Sequence, residues 1–137
     1  MKNITKYNIH KDKWGKLVAL EGNGDIPFNI KRVYYIYGVE EGVRRGFHSH
    51  RKLQQILICV HGSVKILLKT PDKEEVVTLN KANEGLYIGP NTWREMYDFS
   101  DDAVLLVLAS EHYKESDYIR EYSDYEKYYN RYVRRNK

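Results

Sequence analysis

The sequence predicts an all-β fold, a sandwich or barrel of short strands closed by one short C-terminal α-helix. Three observations predict it. Short apolar runs recur along the first two-thirds of the chain, separated by Gly, Pro, Asn and Asp turn signals. Residues 30–37 alternate in register, placing Val33, Tyr35 and Tyr37 on one face and Arg32, Tyr34 and Ile36 on the other. Near the end the period changes, and Tyr118, Tyr122, Tyr125, Tyr129 and Tyr132 recur at three- and four-residue intervals, as on a helix.

The elements follow in order. Residues 17–20 form a short apolar run after a Trp14-Gly15 turn. After the alternating strand 30–37 comes a short strand at 47–50. Residues 55–60 and 63–69 read as a hairpin around His61-Gly62. Strands 75–79 and 84–88 are set off by Pro71-Asp72 and Asn80. Pro90-Asn91 interrupts the chain before 92–99, and 103–109 is a continuous apolar strand. In the tail, Ser123 followed by Glu126 has the spacing of a capping box, and Arg134 and Arg135 suit the negative end of a helix dipole. The Tyr stripe could serve as a platform for stacked bases. Packing of an amphipathic face on the barrel or a second subunit is the default for such stripes.

Composition narrows the function. At 137 residues the chain is expected to form one domain, 1–137. The hydrophobic fraction of 42% is ordinary for a globular protein, and the longest apolar stretches, 55–60 and 103–109, are too short to span a bilayer. The N-terminus lacks an apolar signal region, and the single Cys59 sits in an apolar strand, so no disulfide framework exists. A cytoplasmic protein without membrane or nucleic-acid partners is expected. The net charge of +4 is modest, but Lys31-Arg32, Arg44-Arg45 and Arg51-Lys52 cluster in the sequence around a pair of His. Such a basic rim suits a phosphorylated ligand. Solvated surface charge is the competing reading for Lys31, Arg44 and Arg51.

That pair, in Gly46-Phe47-His48-Ser49-His50, carries the chemistry. Two His two apart on a strand share a face. In a barrel, H-x-H usually opens a metal site completed by a carboxylate and a third His. Here Gln54-Gln55 stands at the carboxylate position and Arg94 where the later His is expected. Imidazoles, amides and a guanidinium make a poor metal site and a better acid/base site for an anionic substrate. A hydrogen-bonded core pair is the structural alternative, against which stands the cost of burying two imidazoles side by side.

Gly42, His48, His50, Gln55 and Gly62 match the spacing of the first cupin motif with Gln in place of its acid. Gly85 and Pro90 match the start of the second motif, whose His is absent. The expected fold is therefore a cupin jelly-roll β-barrel. The chain further resembles the cupin sugar 3,4-ketoisomerases that act on dTDP-4-oxo-6-deoxyglucose. The resemblance runs through Ile26-Pro27-Phe28, Ile30-Lys31-Arg32-Val33-Tyr34-Tyr35, Arg45-Gly46-Phe47-His48-x-His50, Gly85-Leu86-Tyr87-x-Gly89-Pro90, Trp93-x-Glu95-Met96-x-Asp98-Phe99-Ser100 and Asp117-Tyr118-Ile119-Arg120, over residues 4 to 130.

The resemblance implies a 1,2-carbonyl transposition without redox cofactor or metal. A base takes the C3 proton of the 4-keto sugar, an enediol forms, and a proton returns to C4. It implies that His48 is the principal base and that His50 assists or shuttles. Arg32 and Tyr34, inward in register, would hold the diphosphate and line the sugar site, with Arg45 as the next diphosphate ligand and Gln55 also substrate-binding. Trp14 and Arg94 stand where gluco-forming members carry an aromatic and an Arg, which implies a gluco product; Trp14 packed beside the Gly15 turn is the alternative. The family also implies a homodimer with exchanged N-terminal strands, and a place in the making of 3-amino-3,6-dideoxy sugars for surface glycans. Competing readings are a nucleotide-sugar epimerase of the same fold, which would pair a His with a buried Asp, a non-catalytic sugar-binding cupin, and a metal-dependent oxygenase.

Overall fold

The computed structural model describes residues 3–134. An N-terminal strand, β1 (Ile4–Lys6), is followed by a two-stranded ribbon of β2 (His10–Asp12) and β3 (Gly15–Leu17). The remaining strands nest. β4 (Arg32–Tyr37) pairs with β11 (Val104–Ala109) and β5 (Arg45–His50) with β10 (Trp93–Tyr97). Inside these, β6 (Gln55–His61) pairs with β9 (Glu84–Ile88) and β7 (Val64–Lys69) with β8 (Glu74–Leu79), all antiparallel. A long hairpin folded over in this way is a jelly roll. Two five-stranded sheets result, β1-β9-β6-β11-β4 and β12-β5-β10-β7-β8, where β12 is Tyr118–Ile119. The expected all-β jelly roll with a short C-terminal helix is the fold observed.

The main core lies between the sheets. Leu57, Cys59, Leu105 and Val107 from one sheet meet Val64, Ile66, Leu68, Val77, Leu79 and Met96 from the other. Strands β6 and β11 are apolar on their other face too. There Ile56, Ile58 and Leu108 pack against Tyr7, Ile26 and Phe28 of the N-terminal segment. Burial on both faces explains why these strands read as continuous apolar runs, whereas β4, covered on one face, alternates. Residues 18–20, the rest of the short apolar run, lie in this irregular cover, beyond the end of β3.

The expected hairpin around His61-Gly62 does not form. β6 pairs with β9 and β11, β7 with β10 and β8, so the turn carries the chain from one sheet to the other. Gly62 makes the crossing possible. Its φ is +74°, and a Cβ would lie 2.8 Å from the Ala103 Cα and 2.3 Å from the Ser100 Oγ.

The Tyr period is only partly helical. Tyr118 belongs to β12, which pairs with β5 through Tyr118↔His50. The helix α1 runs Tyr122–Tyr128 and continues as a π-helical turn, Tyr129–Val133. Its N-cap is Glu121, without a side-chain cap, so the Ser123–Glu126 capping box does not form: both residues lie inside the helix. Tyr125 and Tyr129 are buried with Trp93 and Ile119, which makes the stripe a packing face on the barrel. Arg135 lies outside the described residues. Among the described residues no helix is long and apolar enough to cross a membrane.

Candidate active site

The site is built on a bulge in β5. Arg94 of β10 faces His48 and Glu95 faces Gly46, so Phe47 is the extra residue. Gly46 and Phe47 both have positive φ, +93° and +55°. Gly46 is also needed for close approach, since a Cβ would stand 3.0 Å from the Arg94 carbonyl oxygen and 3.2 Å from the Glu95 Cα. The bulge folds the Gly46 carbonyl back onto the imidazole of His48, whose Nδ1 lies 3.1 Å from it. A carbonyl only accepts, so Nδ1 carries the hydrogen and Nε2 is left as a bare lone pair.

His50 is set the same way by a different partner. Its Nδ1 donates to Asp117 Oδ2 at 3.0 Å, and its Nε2 is buried with no protein partner. Asp117 is itself anchored by the backbone N–H groups of Lys52 and Leu53 at 2.8 and 3.2 Å. The two imidazoles meet edge to face, 4.9 Å between centroids, and Tyr118 packs on both at 5.1 and 4.3 Å. Burial, followed by the charge of Arg94, pushes His48 down to about 3 and His50 to about 2. Both rings are neutral at pH 7, so the His50–Asp117 contact is a hydrogen bond from a neutral imidazole. This chain therefore holds a His pair and a His–Asp pair together.

Beneath them lies Arg94, fully buried. Its Nη2 donates to the Thr92 carbonyl at 3.0 Å and its Nη1 to Gln55 Oε1, while Gln55 Nε2 donates to the Tyr34 hydroxyl at 3.0 Å. Burial lowers Arg94 only to about 10, so it stays charged.

Two cavities open on this cluster. One, of about 480 Å³, is lined by His48, Arg32, Tyr34, Arg45, Tyr118 and Arg120. The other, of about 530 Å³, is reached from His50 and lined by Arg32, Arg51, Lys52, Lys114, Asp117 and Tyr118. Arg32 and Tyr118 line both. The guanidinium groups of Arg32, Arg45 and Arg120 make the His48 cavity a cationic recess suited to a diphosphate.

Of the residues expected from sequence, His48, His50, Arg32, Tyr34 and Arg45 come together here. Gln55 and Arg94, expected to bind substrate, instead sit behind the cavity walls at 1% and 0% exposure and line neither space. Gln55 reaches the cavity through its hydrogen bond to the Tyr34 hydroxyl, and Arg94 through Gln55 and through its charge on the His pair. Trp14 lines neither cavity and stands 82% exposed at the β2–β3 turn, its ring under Lys13. The chain does not bring it to its own His pair. Asp117, Tyr118 and Arg120 were missed as site residues because Tyr118 fits the helical Tyr period; their signal was the matching segment Asp117-Tyr118-Ile119-Arg120. Among the described residues no group of three or more His, Cys, Asp and Glu is placed to hold a metal.

The depressed His values give a pH prediction. The unfolded chain takes up protons on its His near 6.5, the folded chain only near 3 and 2. Stability from these groups is therefore complete above pH 6.5 and is lost as pH falls below it, by about 1.4 kcal/mol per pH unit for each ring. Urea unfolding at pH 7.5 and 5 should show that loss, and His48→Asn should roughly halve it, leaving the share of His50. Equal stability at both pH values would contradict neutral burial.

Residues 1–130 match the family model described as FdtA: WxcM-like, C-terminal. The chain is 50% identical over 117 residues to a TDP-4-oxo-6-deoxy-alpha-D-glucose-3,4-oxoisomerase of Aneurinibacillus thermoaerophilus, covering 85% of this chain and 84% of that one. Its fold superimposes on QdtA, a sugar 3,4-ketoisomerase of Thermoanaerobacterium thermosaccharolyticum in complex with TDP, with a TM-score of 0.92 and 54% identity, over 95% and 96% of the two chains. The WlaRB TDP-quinovose 3,4-ketoisomerase of Campylobacter jejuni gives 0.87 at 44% identity, over 93% and 99%.

Proposed function

The chain belongs to the FdtA family of WxcM-like, C-terminal proteins, and from that premise we propose that it is a 3,4-ketoisomerase of dTDP-4-oxo-6-deoxyglucose. The observation that carries the reading is the bare Nε2 of His48 at a cavity walled by Arg32, Arg45 and Arg120. The C3 proton of the substrate is acidified by the neighbouring ketone. His48 Nε2 takes it, and the electron pair of the C3–H bond moves to give an enediolate across C3 and C4. The C3 hydroxyl proton is then lost as that oxygen becomes the ketone, while C4 receives a proton and its oxygen becomes the hydroxyl. His48 as imidazolium faces a diphosphate and an enediolate, whose charges offset the burial and the Arg94 field that otherwise hold it neutral. His50, oriented by Asp117, is the second proton carrier.

Arg94 stays charged and cannot lend a proton, so the His pair reprotonates C4. The C3 and C4 hydrogens of a gluco sugar are trans, so the proton is delivered to the face opposite the one the C3 proton left. The product is then dTDP-3-oxo-6-deoxyglucose. Incubation with dTDP-4-oxo-6-deoxyglucose and a 3-aminotransferase, with NMR of the trapped amino sugar, should show gluco couplings at C4. Trp14→Arg combined with Arg94→His should shift the mixture toward the galacto epimer. A wild-type product with galacto couplings would overturn the stereochemical assignment, and a ketone left at C4 would overturn the reaction.

The reading extends to assembly and place. The chain forms a homodimer with exchanged N-terminal strands, working in the cytoplasm on a precursor of 3-amino-3,6-dideoxy sugars for surface glycans. β1 is held to β9 through three residue pairs, and β4 is an edge strand whose outward Val33, Tyr35 and Tyr37 are 54%, 62% and 70% exposed. A partner covering that face and receiving the hairpin that carries Trp14 would account for both. Light scattering that reads a monomer at micromolar concentration would contradict it.

A further inference from the structure

We infer that Gln55 is a positioning residue, whose amide turns the Tyr34 hydroxyl so that its O–H is delivered to the His48 cavity. Two donor-only groups fix the arrangement. A guanidinium has N–H groups and no acceptor, so the Gln55 atom facing Arg94 is Oε1. The same rotamer leaves Nε2 for Tyr34, 3.0 Å away. An amide NH₂ only donates, so the phenol oxygen accepts and its proton points elsewhere. Among the described residues no protein acceptor takes that proton, and Tyr34 lines the cavity with His48. The proton is therefore offered to a ligand oxygen. Gln55 and Arg94, at 1% and 0% exposure, line neither cavity and act through the phenol.

This arrangement explains the amide in a position where the cupin motif carries an acid. A carboxylate at 55 would accept from Arg94 equally well. It would also accept from Tyr34, drawing the phenol proton away from the cavity. The choice of Gln thus sets the direction of the Arg94–Gln55–Tyr34 chain. The Gln55 donation also works to lower the Tyr34 pKa against the burial that raises it, the larger effect. The inference rests on the ketoisomerase reading, in which the ligand oxygen is the one that gathers charge in the enediolate.

Gln55→Glu tests it, because the shape and the Arg94 partner are kept. With dTDP-4-oxo-6-deoxyglucose as substrate, KM should stay within about threefold while kcat falls roughly a hundredfold, the usual loss of one preorganised donor. In a Tyr34→Phe background Gln55→Glu should cause no further loss, since the group it acts through is gone. Wild-type kcat in Gln55→Glu, or its full loss added to that of Tyr34→Phe, would overturn the inference. Should Gln55→Glu fail to fold by circular dichroism, Tyr34→Phe decides: a hundredfold fall in kcat supports the donor, and an unchanged kcat overturns it. A wild-type chain that binds TDP without exchanging the C3 proton would sink the functional reading itself, and the inference with it.

Discussion

His48→Asn should slow exchange of the sugar's C3 proton into deuterated water by at least about a hundredfold, the usual reach of a general base. The side-chain amide can still donate to the Gly46 carbonyl, so the bulge in β5 keeps its partner. What disappears is the lone pair at Nε2, and an amide nitrogen is not a base near neutrality. The ring contacts with His50 and Tyr118 also go, which costs packing but leaves the sheet hydrogen bonds intact. His50→Asn should impair turnover less, because His50 reaches the substrate through a second step and opens on the other cavity. Exchange is read by the loss of the C3 proton signal in NMR. A folded His48→Asn variant exchanging at the wild-type rate would end its assignment as the base. Equal loss in both variants would make the pair a single unit.

Tyr125→Ala should be the most damaging change outside the cavities. Tyr125 is fully buried, packs on Trp93, Tyr122 and Tyr129, and donates its hydroxyl to the Asn91 carbonyl at 2.8 Å. Truncating a buried aromatic costs about 3–5 kcal/mol, and here it removes the anchor of α1 on β10. The helix follows directly on β12, so the loss should loosen Asp117, Tyr118 and Arg120 as well. Denaturation should show the lower midpoint, and kcat should fall with it. Tyr125→Phe, losing only the hydroxyl, should cost about 1 kcal/mol. A Tyr125→Ala variant with wild-type midpoint and kcat would mean that the helix does not support the site.

The fold was legible where burial writes a period. Strand β4 alternates because one face is covered, and the two doubly covered strands read as solid apolar runs. Pairing was less legible. Residues 55–69 read as a hairpin because adjacent strands with a glycine turn usually form one, and nothing local in His61-Gly62 says that the turn changes sheets. The His pair and its cationic company were visible as a spaced motif with a basic rim. The roles behind the wall were not. Gln55 and Arg94 lie 39 residues apart on different sheets, and only the packing of one sheet on the other makes them partners. Asp117 is 67 residues from His50, and Tyr118 was absorbed into a helical period that begins one element later. Trp14 illustrates the opposite case: the family pattern implies a role that one chain's geometry does not supply.

The late strand β12 also fixes when the protein becomes an enzyme. The jelly roll can close once β11, ending at Ala109, has left the ribosome. At that moment both His are in place, yet the edge of β5 is unpaired and His50 has no carboxylate. Asp117 reaches His50 and the Lys52 and Leu53 amides, and Arg51 reaches the Ser116 and Tyr118 carbonyls, only after the following segment emerges. Synthesis at about 5–20 residues per second makes that interval short. It is still an interval in which a folded barrel cannot orient its second imidazole. Full activity is therefore a late event in the life of each nascent chain, and removal of the segment after β11 would return a finished molecule to that earlier stage, with His48 in place and His50 unoriented.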